Sequence, residues 1–170
     1  RRTPGQVQSL GGDISSIEVN STMWFQQQKY DVICMGSASK DIFFPTDEAI
    51  LLETPEDVTA QRKIAFELGG KYRVKDRFEA VGGVAANVSC GLARFGYRVA
   101  SYSCIGKDEI GRYVLDAFRA EGVATEFLTE YSDAKTDLSS IIVMTQNGER
   151  TIFHNRDANE RLVVRKESLK

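Results

Sequence analysis

Val81-Gly82-Gly83-Val84-Ala85-Ala86-Asn87, running on through Val88-Ser89-Cys90-Gly91-Leu92-Ala93-Arg94-Phe95-Gly96, decides how this chain is read. Two adjacent glycines end a polar connector and open an Ala-rich segment. Lacking a Cβ, Gly82 and Gly83 let the backbone approach a ligand closely and reach positive φ. Val88, Leu92 and Phe95 recur at i, i+4 and i+7, which places them on one helix face. Gly96 is the expected stop. Asn87 then falls in the first turn, beside the free N–H groups of a helix N-terminus. Free amides and a carboxamide together suit the holding of hydroxyl groups. The plainer alternative is a Gly-Gly turn that only lets the helix pack. On the ligand reading, a β-branched residue at Gly83 blocks ligand approach before it unfolds the protein.

Downstream, Arg98–Ile105 is an apolar run of strand type, followed by Gly106-Lys107-Asp108-Glu109-Ile110-Gly111. Asp108 is a good N-cap for a helix starting near Glu109. Ile110, Val114, Ala117 and Phe118 give that helix an apolar face, and Gly122 closes it. Upstream, Tyr30–Met35 is a short apolar run ending at Gly36, which fits a buried strand of an α/β sheet. Ligands in such sheets gather at the carboxyl ends of strands. The loop Gly36-Ser37-Ala38-Ser39-Lys40-Asp41 is therefore a site candidate. The Asp41 carboxylate can accept from two vicinal hydroxyls at once.

Ile42–Phe78 is the longest connector. Thr54 as N-cap and Pro55 at the first helical position predict a short helix near Pro55–Gln61. Alternation on either side of Gly69-Gly70 predicts a hairpin of Lys63–Leu68 with Lys71–Phe78. After Gly122, Thr125–Thr129 reads as a strand and Asp133–Asp137 as a polar turn. Ser139–Thr145 and Glu149–His154 flank Gln146-Asn147-Gly148, a strong hairpin signal. Leu162–Lys170 reads as the start of a helix.

At 170 residues a single domain is expected, and 42% hydrophobic content suits a sizeable core. A net charge of −2, with no basic stripe, argues against nucleic acid or a membrane surface as partner. No apolar run is long enough to span a bilayer. Cys34, Cys90 and Cys104 lack metal-ligand spacing and read as reduced core thiols of a cytosolic protein. The single histidine, His154, has no second histidine or cysteine pair beside it, so a metal site is not expected. Residues 1–29 are polar and weakly patterned, without a secretory h-region. They are expected to be a disordered leader or a non-native N-terminal extension, with the domain running over 30–170.

Gly-Gly, helix, strand, Gly-x-Asp-x-x-Gly, helix is a multi-point pattern. Its text here is GGVAANVSCGLARFGYRVASYSCIGKDEIGRYV, Gly82 to Val114. It resembles the ribokinase-like carbohydrate kinases, the phosphofructokinase B family, and the resemblance extends over about Tyr30–Leu162. That resemblance implies a three-layer α/β fold with a central, mostly parallel sheet and a small β lid, this chain being its N-terminal half. It implies a cytoplasmic kinase that moves the γ-phosphate of ATP, with Mg²⁺, to a hydroxyl of a sugar or nucleoside, and a homodimer formed through the lid. By position, Asp41 matches the family's sugar-binding acid, with Gly82, Gly83 and Asn87 holding the acceptor. Ser39 stands where ribokinases carry Asn, which puts ribose itself in doubt. Thr136 and Ser140 are expected to face the sugar. Glu149 matches a family glutamate, and Ala158-Asn159 a family Ala-Asn pair.

No Gly-x-x-x-x-Gly-Lys-Ser/Thr loop occurs, and no Gly-x-Gly-x-x-Gly follows the first strand. The family's own Gly-Ala-Gly-Asp, which supplies the catalytic base and an anion hole, is absent too. The chain alone is therefore expected to be inactive, and its start at Arg1 suggests a fragment. The alternative is a non-catalytic sugar-binding or interaction module of the same ancestry. A Gly-Ala-Gly-Asp downstream of Lys170 would separate the two.

Overall fold

The strand β6 (Val99–Gly106) is buried along its whole length. In this computed structural model, which describes residues 29–165 and 167, it lies between β1 (Val32–Met35) and β7 (Ala124–Tyr131) and runs parallel to both. The expected leader over 1–29 falls outside the described residues, apart from Lys29. Parallel strands buried on both faces need apolar or small side chains throughout. Val99, Ala100, Ser101, Ser103, Cys104 and Ile105 meet that need.

Two helices cross over between these strands. They are α1 (Val84–Arg94) and α2 (Glu109–Ala120). Ala86 and Cys90 of α1 meet Val114 and Phe118 of α2 around Ile105 in one core. The buried face of α1 is Ala85, Ala86, Ser89 and Cys90. The expected face of Val88, Leu92 and Phe95 is thus corrected: Val88 is 48% and Phe95 83% exposed, and only Leu92 packs against the core. Ala85 packs with Cys34 of β1 and Val99 of β6 in a second small cluster. Gly96 and Gly122 end the helices with φ of 88° and 73°, as expected.

Asp108 caps α2, with the Gly111 amide donating to Oδ1 at 2.7 Å. It also takes the Thr136 amide at 2.9 Å and the Thr136 hydroxyl at 2.8 Å. The Gly106 amide donates to that hydroxyl at 2.8 Å. Glycine is required at both ends of this turn. A Cβ on Gly106 would run into the Ala134 carbonyl, and one on Gly111 into the Gly106 carbonyl. Burial pushes the Asp108 carboxyl up, but the Thr136 and Gly111 amides and the Thr136 hydroxyl outweigh it, so its pKa lies below the ordinary value. A depressed carboxylate stabilises the fold above its unfolded pKa, and that stability fades as pH falls toward the folded value. Asp108→Ala should therefore cost about 2–3 kcal/mol at neutral pH, one cap plus the two Thr136 bonds. Urea titrations at pH 7 and pH 3 check this. The gap between wild type and variant should narrow at pH 3, and an equal gap at both would discard the charged cap.

A second sheet carries the order β5-β2-β8-β9. Its strands are Phe78–Gly82 (β5), Ser39–Thr46 (β2), Asp137–Met144 (β8) and Arg150–Asn155 (β9). β2 runs parallel to β8 and antiparallel to β5, and β8–β9 form the expected hairpin. Gly148 sits at φ 73° in its turn, donating its amide to the Met144 carbonyl at 2.8 Å.

The connector differs most from expectation. Its first residues, through Thr46, continue β2. Ile50–Glu53 (β3) then pairs with Arg62–Ala65 (β4). The Lys63–Leu68/Lys71–Phe78 hairpin is thereby replaced. Its Gly69-Gly70 turn exists, held by the Glu67 amide on the Tyr72 hydroxyl and by Phe66 against Tyr72, but its flanks do not pair as strands. The Pro55–Gln61 helix is likewise replaced by turns. Thr54 does not cap: its hydroxyl donates to the Ala60 carbonyl at 2.6 Å and its amide to that of Gln61 at 2.7 Å, closing the β3–β4 loop. Near the far end, Ala158–Arg161 is a 3₁₀ turn; of the helix expected over Leu162–Lys170, residues 162–165 are not helical and residues 166 and 168–170 lie outside the described residues. The three cysteines are free and buried. No described helix is long and apolar enough to cross a membrane.

Candidate functional site

Glycines bring the site together. Gly83 is the N-cap of α1 at φ 92°, and a Cβ there would strike the Ser37 carbonyl. Ser37 in turn holds the start of the helix. Its hydroxyl takes the Val84 amide at 3.1 Å and its carbonyl the Ala85 amide at 3.0 Å. The expected free amides are thus occupied by the protein itself. The glycine at 83 is required by this internal contact, which corrects the view that it mainly clears a path for ligand. Gly82 differs: the space of its missing side chain is filled by the Asp41 carboxylate.

Asp41 lies inside β2, where a loop was expected, because the strand starts at Ser39. The Ser39 hydroxyl donates to its Oδ1 at 3.1 Å. Across the sheet Asp41 is in register with Ser139 and, through it, with His154. Ser39 is in register with Asp137. Two carboxylates and two hydroxyls therefore form a diagonal pattern on one face of two adjacent strands. Lys40 takes the other face, 2.5 Å from Glu79 and 4.5 Å from the centre of the Tyr113 ring. A hydrogen bond from Lys40 lowers the Glu79 carboxyl pKa. These contacts tie the root of the second sheet to α2.

A cavity of about 240 Å³ opens between that face and the start of α1. Ser39, Asp41, Gly83 and Asn87 line it, with Gly82 buried beneath the Asp41 carboxylate. Ser140 and Glu149 do not join them. Ser140 is paired with Ile42 and Phe153, one residue out of step with the cavity face. Glu149 pairs with Arg62 at 3.0 Å beside a separate, wider cleft of about 790 Å³ under the β3–β4 hairpin. Thr136 is buried in the Asp108 turn.

Ser37, from the loop singled out in the sequence, lines the cavity too, but sequence reasoning passed over Asp137, Ser139, His154 and Arg156, which line it as well. Only the strand register could have found them, and Ser139-Ser140-Ile141-Ile142 gives both faces one serine and one isoleucine. Asn159 explains the Ala-Asn pair structurally. Its Nδ2 donates to the Ala38 carbonyl at 2.8 Å, and its Oδ1 accepts from the Ser103 hydroxyl at 2.9 Å. It therefore pins the loop that carries Ser37 to the central strand.

The chain is similar in sequence and fold to known proteins. Over 59 residues the chain is 39% identical to a 2-dehydro-3-deoxygluconokinase of Bacillus subtilis (strain 168), covering 35% of this chain and 18% of that one. Its fold superposes on a putative ribokinase from Agrobacterium tumefaciens with a TM-score of 0.59 and 26% identity, covering 79% of this chain and 38% of that one. A fructokinase from Xylella fastidiosa with bound ATP gives a TM-score of 0.52 and 25% identity over 81% and 36%. The chain thus spans well under half the length of these relatives. A family model, that of the pfkB family carbohydrate kinases, matches residues 29–169, and the chain belongs to that family.

Proposed function

We propose that this chain is the acceptor-binding and lid-forming part of an ATP-dependent kinase that phosphorylates a hydroxyl of a sugar or nucleoside. Residues 30–170 form the N-terminal part of its kinase domain. The observation that carries the reading is the convergence of Asp41, Ser39, Gly83 and Asn87 on one cavity, walled by β8 and β9 of the lid. Carboxylate and hydroxyl oxygens accept from the hydroxyls of a polyol, and the Asn87 carboxamide both donates and accepts. A lid over such a cavity excludes water from the transferred phosphate. Gly82 and Gly83 act on the acceptor indirectly, one by seating Asp41 and the other by fixing Ser37. Glu149 and Ser140 fall outside the cavity and are given no part in it.

Nucleotide and Mg²⁺ are assigned to residues outside this chain. Among the described residues no set of His, Cys, Asp and Glu side chains is grouped to hold a metal ion. The 170-residue chain alone should bind a sugar weakly and transfer no phosphate. Purified chain and full-length protein, each incubated with a sugar panel and Mg·ATP and followed by ADP release, test this. Turnover by the full-length protein alone supports the reading, and turnover by the short chain refutes the assignment.

The lid leaves the edge strands β5 and β9 largely exposed, with Phe78 and Phe153 at 58% and 64%. Exposed edges carrying apolar side chains need a cover. A homodimer through the lid is the expected cover, and light scattering on the full-length protein should return twice the monomer mass. Phe153→Lys should shift it to monomer. A monomer at high concentration before substitution would count against the dimer.

A further inference from the structure

The geometry points to Asp137 as a second acceptor-binding carboxylate, which makes the site specific for a substrate offering two separate hydroxyls to its floor. This rests on the reading of the cavity as the acceptor site. Asp137 is 3% exposed yet lines the cavity. Its Oδ1 is already committed, accepting from the Asp157 amide at 3.0 Å and the Asn159 amide at 3.3 Å. Its Oδ2 takes no hydrogen bond from the described residues. That oxygen is not sealed in the interior but open to the cavity, where an incoming hydroxyl can donate to it.

The neighbours support the same use. Ser39, opposite Asp137 in register, gives its proton to Asp41 at 3.1 Å and not to Asp137. Asp41 lies diagonally across on β2, two residues along from Ser39. Diagonal partners on adjacent strands stand about 7–8 Å apart at their backbones, so the two carboxylates reach different hydroxyls of one small polyol. Neither can substitute for the other. The backbone amides that fix Oδ1 also hold the Asp157–Asn159 segment, so the residue has a structural half and a ligand half.

Deoxy-sugar analogues of the best substrate separate those halves in the full-length protein. A site built to bond a hydroxyl rejects the analogue lacking it, here by roughly 100-fold or more in kcat/KM. Two positions of the sugar should show that penalty. Asp137→Asn keeps an oxygen for the two amides, and it should shrink the penalty at one position while leaving the other unchanged. Asp41→Asn should do the reverse, and it does not depend on the variant at 137 folding. An Asp137→Asn enzyme that loses the same factor on every analogue would make the residue structural only. Asp41→Asn relieving both penalties would also overturn the assignment. A full-length protein that phosphorylates no sugar or nucleoside would instead sink the acceptor-site reading beneath it.

Discussion

Gly83→Val should unfold the protein before it can reveal anything about ligand binding, with an expected loss of roughly 3–5 kcal/mol. Two costs add. At φ 92° a β-branched residue is far outside its allowed regions, and its Cβ would meet the Ser37 carbonyl and the Ala38 backbone. Neither obstacle is the flexible end of a side chain, so the loop from Gly36 to Ala38 must move. That loop holds the first amides of α1, and Asn159 fixes it to β6. Damage therefore spreads from the cap into the central sheet. Gly91 is the control within the same helix. It has open space around its Cβ position, and Gly91→Ala should stabilise by about 0.5–1 kcal/mol. Denaturant midpoints of the three proteins test the pair. A Gly83→Val variant as stable as wild type would return Gly83 to the role of clearing a path for ligand.

The local signals that the sequence displays well are those made by single residues with strong backbone demands. Gly83, Gly96, Gly122 and Gly148 all mark positive φ, and Asp108 caps the helix it should. The two crossover helices and the buried strand between them follow from those marks. What the pattern hid has two causes. The first is close packing. Val88 and Phe95 have helical spacing, but the face of α1 that packs on the sheet is built of alanine, serine and cysteine, and they lie off it. The second is long-range pairing. β2 and β8 lie about a hundred residues apart in the chain, and nothing local at Ile42 says that the strand goes on to Thr46. The same blindness misread β4, whose partner is β3 upstream and not the segment after Gly69-Gly70. Gly83 and Asn87 line the cavity that the glycine pair pointed to, and Asp41 reaches it from inside β2 instead of from a loop. Asp137 and His154 were not legible, because their place at the cavity depends on register with β2.

Replacing Asp41 with Ala in the full-length protein should lower kcat/KM for its best acceptor by roughly 2–4 kcal/mol, about 30- to 1000-fold, since hydrogen bonds to a charged group contribute ~1.5–3 kcal/mol each. Stability should change little. The carboxylate rests over Gly82 and takes one bond, from the Ser39 hydroxyl. Ser39 is itself buried and lines the cavity, so losing that partner opens room for water. The KM for ATP should hold, because no nucleotide group is assigned to this part of the fold. Gly82→Ala provides a second route to the same effect. Its new methyl would collide with the Asp41 carboxylate, which is the far end of a side chain and can swing aside. The enzyme would keep its carboxylate but aim it wrongly. If Asp41 binds the acceptor, both variants lose acceptor affinity, and combining them adds little to Asp41→Ala alone. If the two losses instead add in full, Gly82 acts through the backbone, and Asp41 and Gly82 are separate elements of the fold. An unchanged kcat/KM in Asp41→Ala, measured with the best substrate of the panel, would remove Asp41 from the site.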